Sequence, residues 1–139
     1  RDEPAGPDRY RSLVPAFGRE LSSLRRSLRA WLADAGVEDE AVEDLVLAVS
    51  ETATNAMEHA YRDVVGARAH VGVSATVDRD AGVVRVEVRD AGVWKARPSE
   101  TTRGRGLSIV RALLGDVDVR TGPSGTIVSF SAPVRTRAR

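Results

Sequence analysis

The chain has 139 residues, with 21 Lys plus Arg against 20 Asp plus Glu and a formal net charge of +1, which suits one domain with a real core and gives no general drive toward nucleic acid. Cysteine is absent and histidine is limited to His59 and His70, so disulfide scaffolds, thiolate metal sites, cysteine nucleophiles and histidine-rich metal cages are excluded. No apolar run approaches the roughly 20 residues of a membrane-spanning helix, and the start lacks the basic-then-apolar pattern of a signal peptide.

Residues 1–9 carry Pro4, Gly6 and Pro7 among charges, without an apolar period, and read as a linker or disordered tail. The first residue is not methionine, so the expectation is a processed protein or a piece of a longer one. Tyr10 to Val14 reads as a short strand stopped by Pro15. Phe17, Leu21, Leu24, Leu28, Trp31 and Leu32 recur at steps of three and four, which predicts a helix ending at Gly36 with Trp31 at the edge of its apolar stripe. A second helix is predicted from Glu38 to Tyr61. His70 to Val77 and Val83 to Val88 alternate apolar and polar residues around the turn Asp78-Arg79-Asp80-Ala81-Gly82, the pattern of an antiparallel hairpin.

Asp90 to Gly106 is rich in Gly, Arg, Thr and Ser and has no usable period, so it reads as a long functional loop. Leu107 to Leu114 reads as a short helix closed by Gly115. Val117 to Arg120 and Thr126 to Ser131 form a last hairpin around Gly122-Pro123-Ser124-Gly125. Arg135, Arg137 and Arg139 mark residues 135–139 as a basic, solvated tail. The predicted class is α+β: a two-layer sandwich with a mostly antiparallel sheet and helices packed on one face.

The chemistry begins on the second predicted helix. At about 100° per residue, Val42, Leu45, Val49, Ala53, Ala56 and Ala60 fall on one side and define its core stripe. Glu51 and Asn55 lie one turn apart on another side, flanked by Leu47 and Ala48. A solvated polar face explains them; so does a site, because a carboxylate can orient or deprotonate a nucleophile while a neutral carboxamide oxygen suits magnesium. Asp90-Ala91-Gly92 follows a predicted strand. It is either a plain turn or a place where a carboxylate accepts a hydrogen bond from an exocyclic amine and a glycine lets a flat ring approach. Arg103-Gly104-Arg105-Gly106 runs into a helix start, where exposed backbone N–H groups and two guanidinium groups favour a phosphate; a flexible helix entry fits the same residues.

In chain order the signals are Glu51-x-x-x-Asn55, Asp90-x-Gly92, Gly104-x-Gly106 before a helix, and Gly125-Thr126 opening the last strand. This set resembles the GHKL, or Bergerat, nucleotide-binding fold. The stretch from Asp44 to Ala56, Asp-Leu-Val-Leu-Ala-Val-Ser-Glu-Thr-Ala-Thr-Asn-Ala, followed by Glu58-His59-Ala60-Tyr61, is similar to the RsbW-like anti-sigma-factor serine kinases. The resemblance runs from residue 10 to residue 134.

The resemblance implies an ATP-binding kinase domain at 10–134 with magnesium as its metal. Asn55 would hold that magnesium, and Glu51 would act on the attacking serine hydroxyl. Asp90 would bond the adenine amine with Gly92 leaving room for the ring. Gly104 and Gly106 would hold phosphates with Arg103 and Arg105 beside them, and Thr126 would bond near the adenine contact or an associated water. The loop from Val93 to Arg103 would be the ATP lid, although Trp94 replaces the later glycine of the longer Asp-x-Gly-x-Gly form.

The implied function is an ATP-dependent protein-serine kinase that phosphorylates an anti-anti-sigma protein of the STAS class and sequesters a sigma factor. A metal-dependent phosphatase, in the same polypeptide or another, would reverse it. The implied setting is the bacterial cytoplasm and a stress-type transcriptional response. Direct nucleic-acid contact and a membrane span are not expected, and a homodimer through the sheet edge and first helix is a further reading. The competing functions are an ATP-binding anti-sigma module without kinase activity and the catalytic domain of a two-component histidine kinase.

Overall fold

The computed structural model of the chain describes residues 8–15, 18–59, 70–90, 110–114, 117–122 and 125–133. Strand β1 is Arg9–Pro15, followed by a single 3-10 turn at Gly18–Glu20, helix α1 at Leu21–Asp34 and helix α2 at Asp39–His59. Strands β2, His70–Asp78, and β3, Val83–Asp90, form the first hairpin; β4, Val117–Gly122, and β5, Gly125–Pro133, form the second. Residues 110–114 are helical and precede β4.

The five strands make one sheet in the order β1-β2-β3-β5-β4, with every pairing antiparallel. Alternation dictates which side of the sheet is covered. Val71, Val73, Ala75 and Val77 of β2, Val84, Val86 and Val88 of β3, and Val128, Phe130 and Ala132 of β5 all turn to one face and are buried. Both helices lie on that face, as the sequence predicts. α1 contributes Leu24, Leu28 and Leu32, each 1% exposed, and burying each such side chain contributes about 1.5–3 kcal/mol of transfer free energy.

Local signals set the element ends. α1 stops where the sequence offers Gly36: its φ of 87° is open to glycine and costly for other residues. The Gly36 and Val37 amides donate to the Ala33 and Leu32 carbonyls at 3.0 and 3.1 Å, a Schellman closure that satisfies the last carbonyls and buries Val37 completely. In the β2–β3 turn the Ala81 amide donates to Asp78 Oδ1 at 3.0 Å and the Gly82 amide to the Asp78 carbonyl at 2.8 Å. β1 starts at Arg9, so the sheet reaches into the segment predicted as linker. Asp8 is held there by the Val77 amide on its carbonyl at 3.0 Å and by Arg79 Nε on its carboxylate at 2.9 Å. Pro15 is paired with His70 as the last residue of β1, which an edge strand tolerates.

Trp31 is partly buried against the core, its ring tilted by 44° on Tyr10 with centroids 5.7 Å apart. Tyr10 and Ser27 share a hydrogen bond at 3.1 Å. The edge of the α1 stripe is therefore closed over β1 by an aromatic pair.

Candidate functional site

α2 is buried over a wider arc than its apolar stripe predicts. Val42, Leu45, Val49, Ala53 and Ala56 face the core as expected, and Val46, Ala48, Ser50, Thr52 and Asn55 are buried too. Counting about 100° per residue, the buried arc covers more than half of the helix. The physical reason is position: α2 lies in the corner between α1 and the sheet, packed on both. Its solvent arc is left to Glu40, Glu43, Asp44, Leu47, Glu51, Thr54 and Glu58.

This boundary passes between the two residues that the sequence singled out. Glu51 is half-buried at the edge of the solvent arc. Asn55, one turn on, is only 6% exposed, where the sequence placed it pointing away from the core. Its carboxamide has no hydrogen-bond partner among the described residues, and neither has the Glu51 carboxylate. A residue set this deep with its amide unengaged by the protein is placed to hold a ligand.

The sheet brings a second pair together. β3 is bonded to β5, not to β4, so Asp90 at the end of β3 stands directly across from Thr126 at the start of β5. Both side chains turn to the helix-covered face and are buried. Asp90 is engaged in a polar contact, while the Thr126 hydroxyl is fully buried with no hydrogen-bond partner among the described residues. Antiparallel register thus joins residues 36 positions apart in the chain, which spacing alone does not show.

Of the predicted site residues, Gly92, Arg103, Gly104, Arg105 and Gly106 lie outside the described residues, as do Trp94 and the rest of the predicted lid. Among the described residues no group of three or more His, Cys, Asp or Glu side chains is arranged to hold a metal ion. A metal at Asn55 would need oxygen ligands from elsewhere, such as phosphates and water.

Sequence reasoning missed the polar bonds that hold the site's helix. Arg25 of α1 donates from Nη1 to Ser50 Oγ at 3.2 Å, beside Glu51. Arg29 grips Glu43 with Nε and Nη2 at 2.9 and 3.1 Å. The hydrogen bonds and charge of this pair raise the Arg29 pKa and lower that of Glu43. Thr52 Oγ1 donates back to the Ala48 carbonyl at 2.8 Å, satisfying a hydroxyl inside the core. The signal for the Arg29–Glu43 clasp was present in the sequence as opposite charges on adjacent helices, but its pairing needed the helix crossing.

The other side of the sheet is different in kind. It carries the ion pairs Arg85–Asp78, Arg89–Glu87 and Arg120–Asp118 at 2.8, 2.6 and 3.1 Å. An open groove of about 410 Å3 lies there, lined in part by Arg11, Leu13, Gly72 and Arg89. Gly72 keeps its floor low, since a Cβ there would come within 3.3 Å of the Arg89 side chain. This groove is on the face opposite Asn55, Asp90 and Thr126.

Over residues 14–132 the chain matches the family described as the histidine kinase-like ATPase domain. It is 32% identical over 114 residues to the anti-sigma F factor of Pasteuria penetrans, a match that covers 75% of this chain and 76% of that protein. It is 30% identical over 118 residues to the serine-protein kinase RsbW of Oceanobacillus iheyensis, covering 76% and 75%. The crystal structure of the RsbU and RsbW domains of Rv1364c from Mycobacterium tuberculosis superposes with a TM-score of 0.74 at 29% identity, covering 94% of this chain and 34% of that longer one. No helix among the described residues is long and apolar enough to cross a membrane.

Proposed function

We infer the function from one premise: the chain belongs to the histidine kinase-like ATPase domain family. It is an ATP-dependent protein-serine kinase and anti-sigma factor of the RsbW type. Relatives that match three quarters of the chain carry those two names, which favours a serine kinase over the catalytic domain of a histidine kinase.

The observation that carries the mechanism is the set of polar side chains left unengaged on α2 and at the start of β5. Asn55 offers a carboxamide on a residue that is 6% exposed and Thr126 a fully buried hydroxyl, neither with a hydrogen-bond partner among the described residues, and Asp90 lies across from Thr126. These groups fit magnesium-ATP: Asn55 Oδ1 as a hard neutral oxygen for the metal, Asp90 as acceptor for the adenine amine, and the Thr126 hydroxyl as a donor or acceptor beside it. Magnesium-ATP, when bound, supplies the phosphoryl group and neutralises its charge. Gly92, Arg103, Gly104, Arg105 and Gly106 complete the site in this reading, with Gly92 beside the ring and the others around the phosphates. Glu51 stands at the solvent edge, where a substrate serine can reach it, and its free carboxylate accepts or orients the hydroxyl proton. That unpartnered carboxylate also favours a kinase over an inert nucleotide-binding module.

By the same reading the phosphate acceptor is an anti-anti-sigma protein of the STAS class, the sequestered partner is a sigma factor, and a metal-dependent phosphatase removes the phosphate. The setting is the bacterial cytoplasm. A homodimer through the sheet edge is supported by the outer side of β1, which no strand among the described residues pairs with, and by Leu13, which is 69% exposed.

Incubating the chain with radiolabelled ATP, magnesium and a STAS-class protein is expected to label a serine. Glu51→Ala is expected to cut transfer at least ~100-fold, a typical size for a lost general base, while ATP affinity stays within a few-fold. Nucleotide binding without transfer by the wild-type chain would leave only the anti-sigma role, and lost ATP binding in Glu51→Ala would make Glu51 a structural residue.

A further inference from the structure

Among the described residues, two large apolar side chains stand in solvent, Leu13 and Leu47. Leu13 belongs to the open sheet face. Leu47 is 43% exposed in the middle of α2's solvent arc, one turn before Glu51. Residues four apart on a helix share a face and are separated by about 6 Å along its axis.

The polar groups beside Leu47 on the α1 side are already engaged within the protein. Glu43, one turn earlier, is held by Arg29, and Ser50, three residues later, accepts from Arg25. Three carboxylates on the same strip are free: Glu40, Asp44 and Glu51 have no hydrogen bond or ion pair among the described residues. α2 as a whole carries six Asp or Glu and no Lys or Arg. Such a strip repels a second copy of itself and an anionic lipid surface. It complements a segment that is apolar at one point and basic at another.

We propose that Glu40, Asp44, Leu47 and Glu51 form the docking strip for the acceptor segment of the protein substrate. The inference rests on the serine-kinase reading above. The substrate serine sits at Glu51, an apolar side chain covers Leu47, and a lysine or arginine faces Asp44 and Glu40. An extended chain advances about 3.3 Å per residue with alternate side chains on one side. The roughly 6 Å between Leu47 and Glu51 therefore corresponds to two residues, so the apolar side chain lies two positions from the serine, with the basic one beyond it. Kinase specificity in this protein is read by α2 itself, one to three turns ahead of the catalytic carboxylate.

The experiment measures KM and kcat for the STAS-class protein that the wild-type chain labels, alongside ATP affinity and melting temperature. Leu47→Ser is expected to raise KM for the protein substrate at least ten-fold while kcat and ATP affinity move less than two-fold, and Leu47→Met to return KM to within three-fold of wild type. Asp44→Lys is expected to raise KM as well, with the larger effect at low salt. An unchanged KM in both Leu47→Ser and Asp44→Lys overturns the proposal and leaves the kinase reading intact. A fall in ATP affinity or melting temperature that accounts for the KM change overturns it in favour of a structural role. Failure of the wild-type chain to label any STAS-class protein removes the kinase reading, and this strip with it.

Discussion

The open face of the sheet and the solvent side of α2 handle charge in opposite ways. On the sheet, each of the acidic residues Asp78, Glu87 and Asp118 is matched by an arginine on the same or the adjacent strand. Arg9 and Arg11 of β1 are left over without a partner among the described residues. On α2 the charges share one sign, and only part of them is answered by α1. The whole-chain balance of +1 hides this segregation. A face that neutralises itself is finished as a surface, apart from its edge. A face that leaves carboxylates, a leucine and an unengaged amide together has been kept for something else to bind. Function is therefore expected on the helix side, while the sheet side supports it.

The comparison breaks most completely when the layer between the two faces is removed. Leu28 is 1% exposed in the middle of α1, and Leu28→Ala is expected to destabilise the protein by about 2–5 kcal/mol, since the core refills the cavity only partly. Denaturant unfolding followed by circular dichroism measures it. A loss under ~1 kcal/mol would mean that α1 is not the shared support of both faces.

A smaller change separates the site from the scaffold. Thr126→Val removes a buried hydroxyl that has no partner among the described residues and keeps the volume. It is expected to raise the melting temperature of the nucleotide-free protein, by an amount corresponding to about 1 kcal/mol, and to weaken ATP binding measured by calorimetry. A structural hydroxyl would give the opposite stability change.

The smallest effect sharpens the contrast through pH. The bond from Arg29 holds the Glu43 carboxyl below the ordinary carboxylate range, and the bonds from Arg85 and from the Ala81 amide do the same for Asp78. A carboxyl with a depressed folded-state pKa adds stability that is fully present above its unfolded-state pKa and is lost as pH falls through the folded-state value. Glu43→Gln and Asp78→Asn are each expected to lower the neutral plateau of a stability–pH curve slightly and to converge with the wild-type curve in acid, which flattens the acid limb. Both effects shrink in high salt because both pairs are exposed.

Much of the fold was legible because its signals are local. The alternating valines of β2 and β3, the Leu21-Leu24-Leu28-Leu32 spacing of α1 and the stop at Gly36 each depend on residues a few positions apart. Ends were less legible: β3 runs on to Asp90 and β5 to Pro133, because pairing with a neighbour continues a strand past the point where its own pattern weakens. Half of the site was legible in the same limited sense. Glu51 and Asn55 could be seen to lie one turn apart, but which of them is buried could not, because the burial arc of α2 is set by α1 and the sheet together.

What the sequence by itself determined is the chemistry on offer: no thiol, little imidazole, a carboxylate and a carboxamide one turn apart, and a set of motifs resembling one nucleotide-binding family. The tertiary structure decided how those groups are used. Pairing β3 with β5 sets Asp90 against Thr126. Wedging α2 between α1 and the sheet buries Asn55, leaves Glu51 at the rim and turns Leu47 outward. The physical reason is that periodicity describes one helix or strand at a time, whereas burial and register are properties of the elements packed against it.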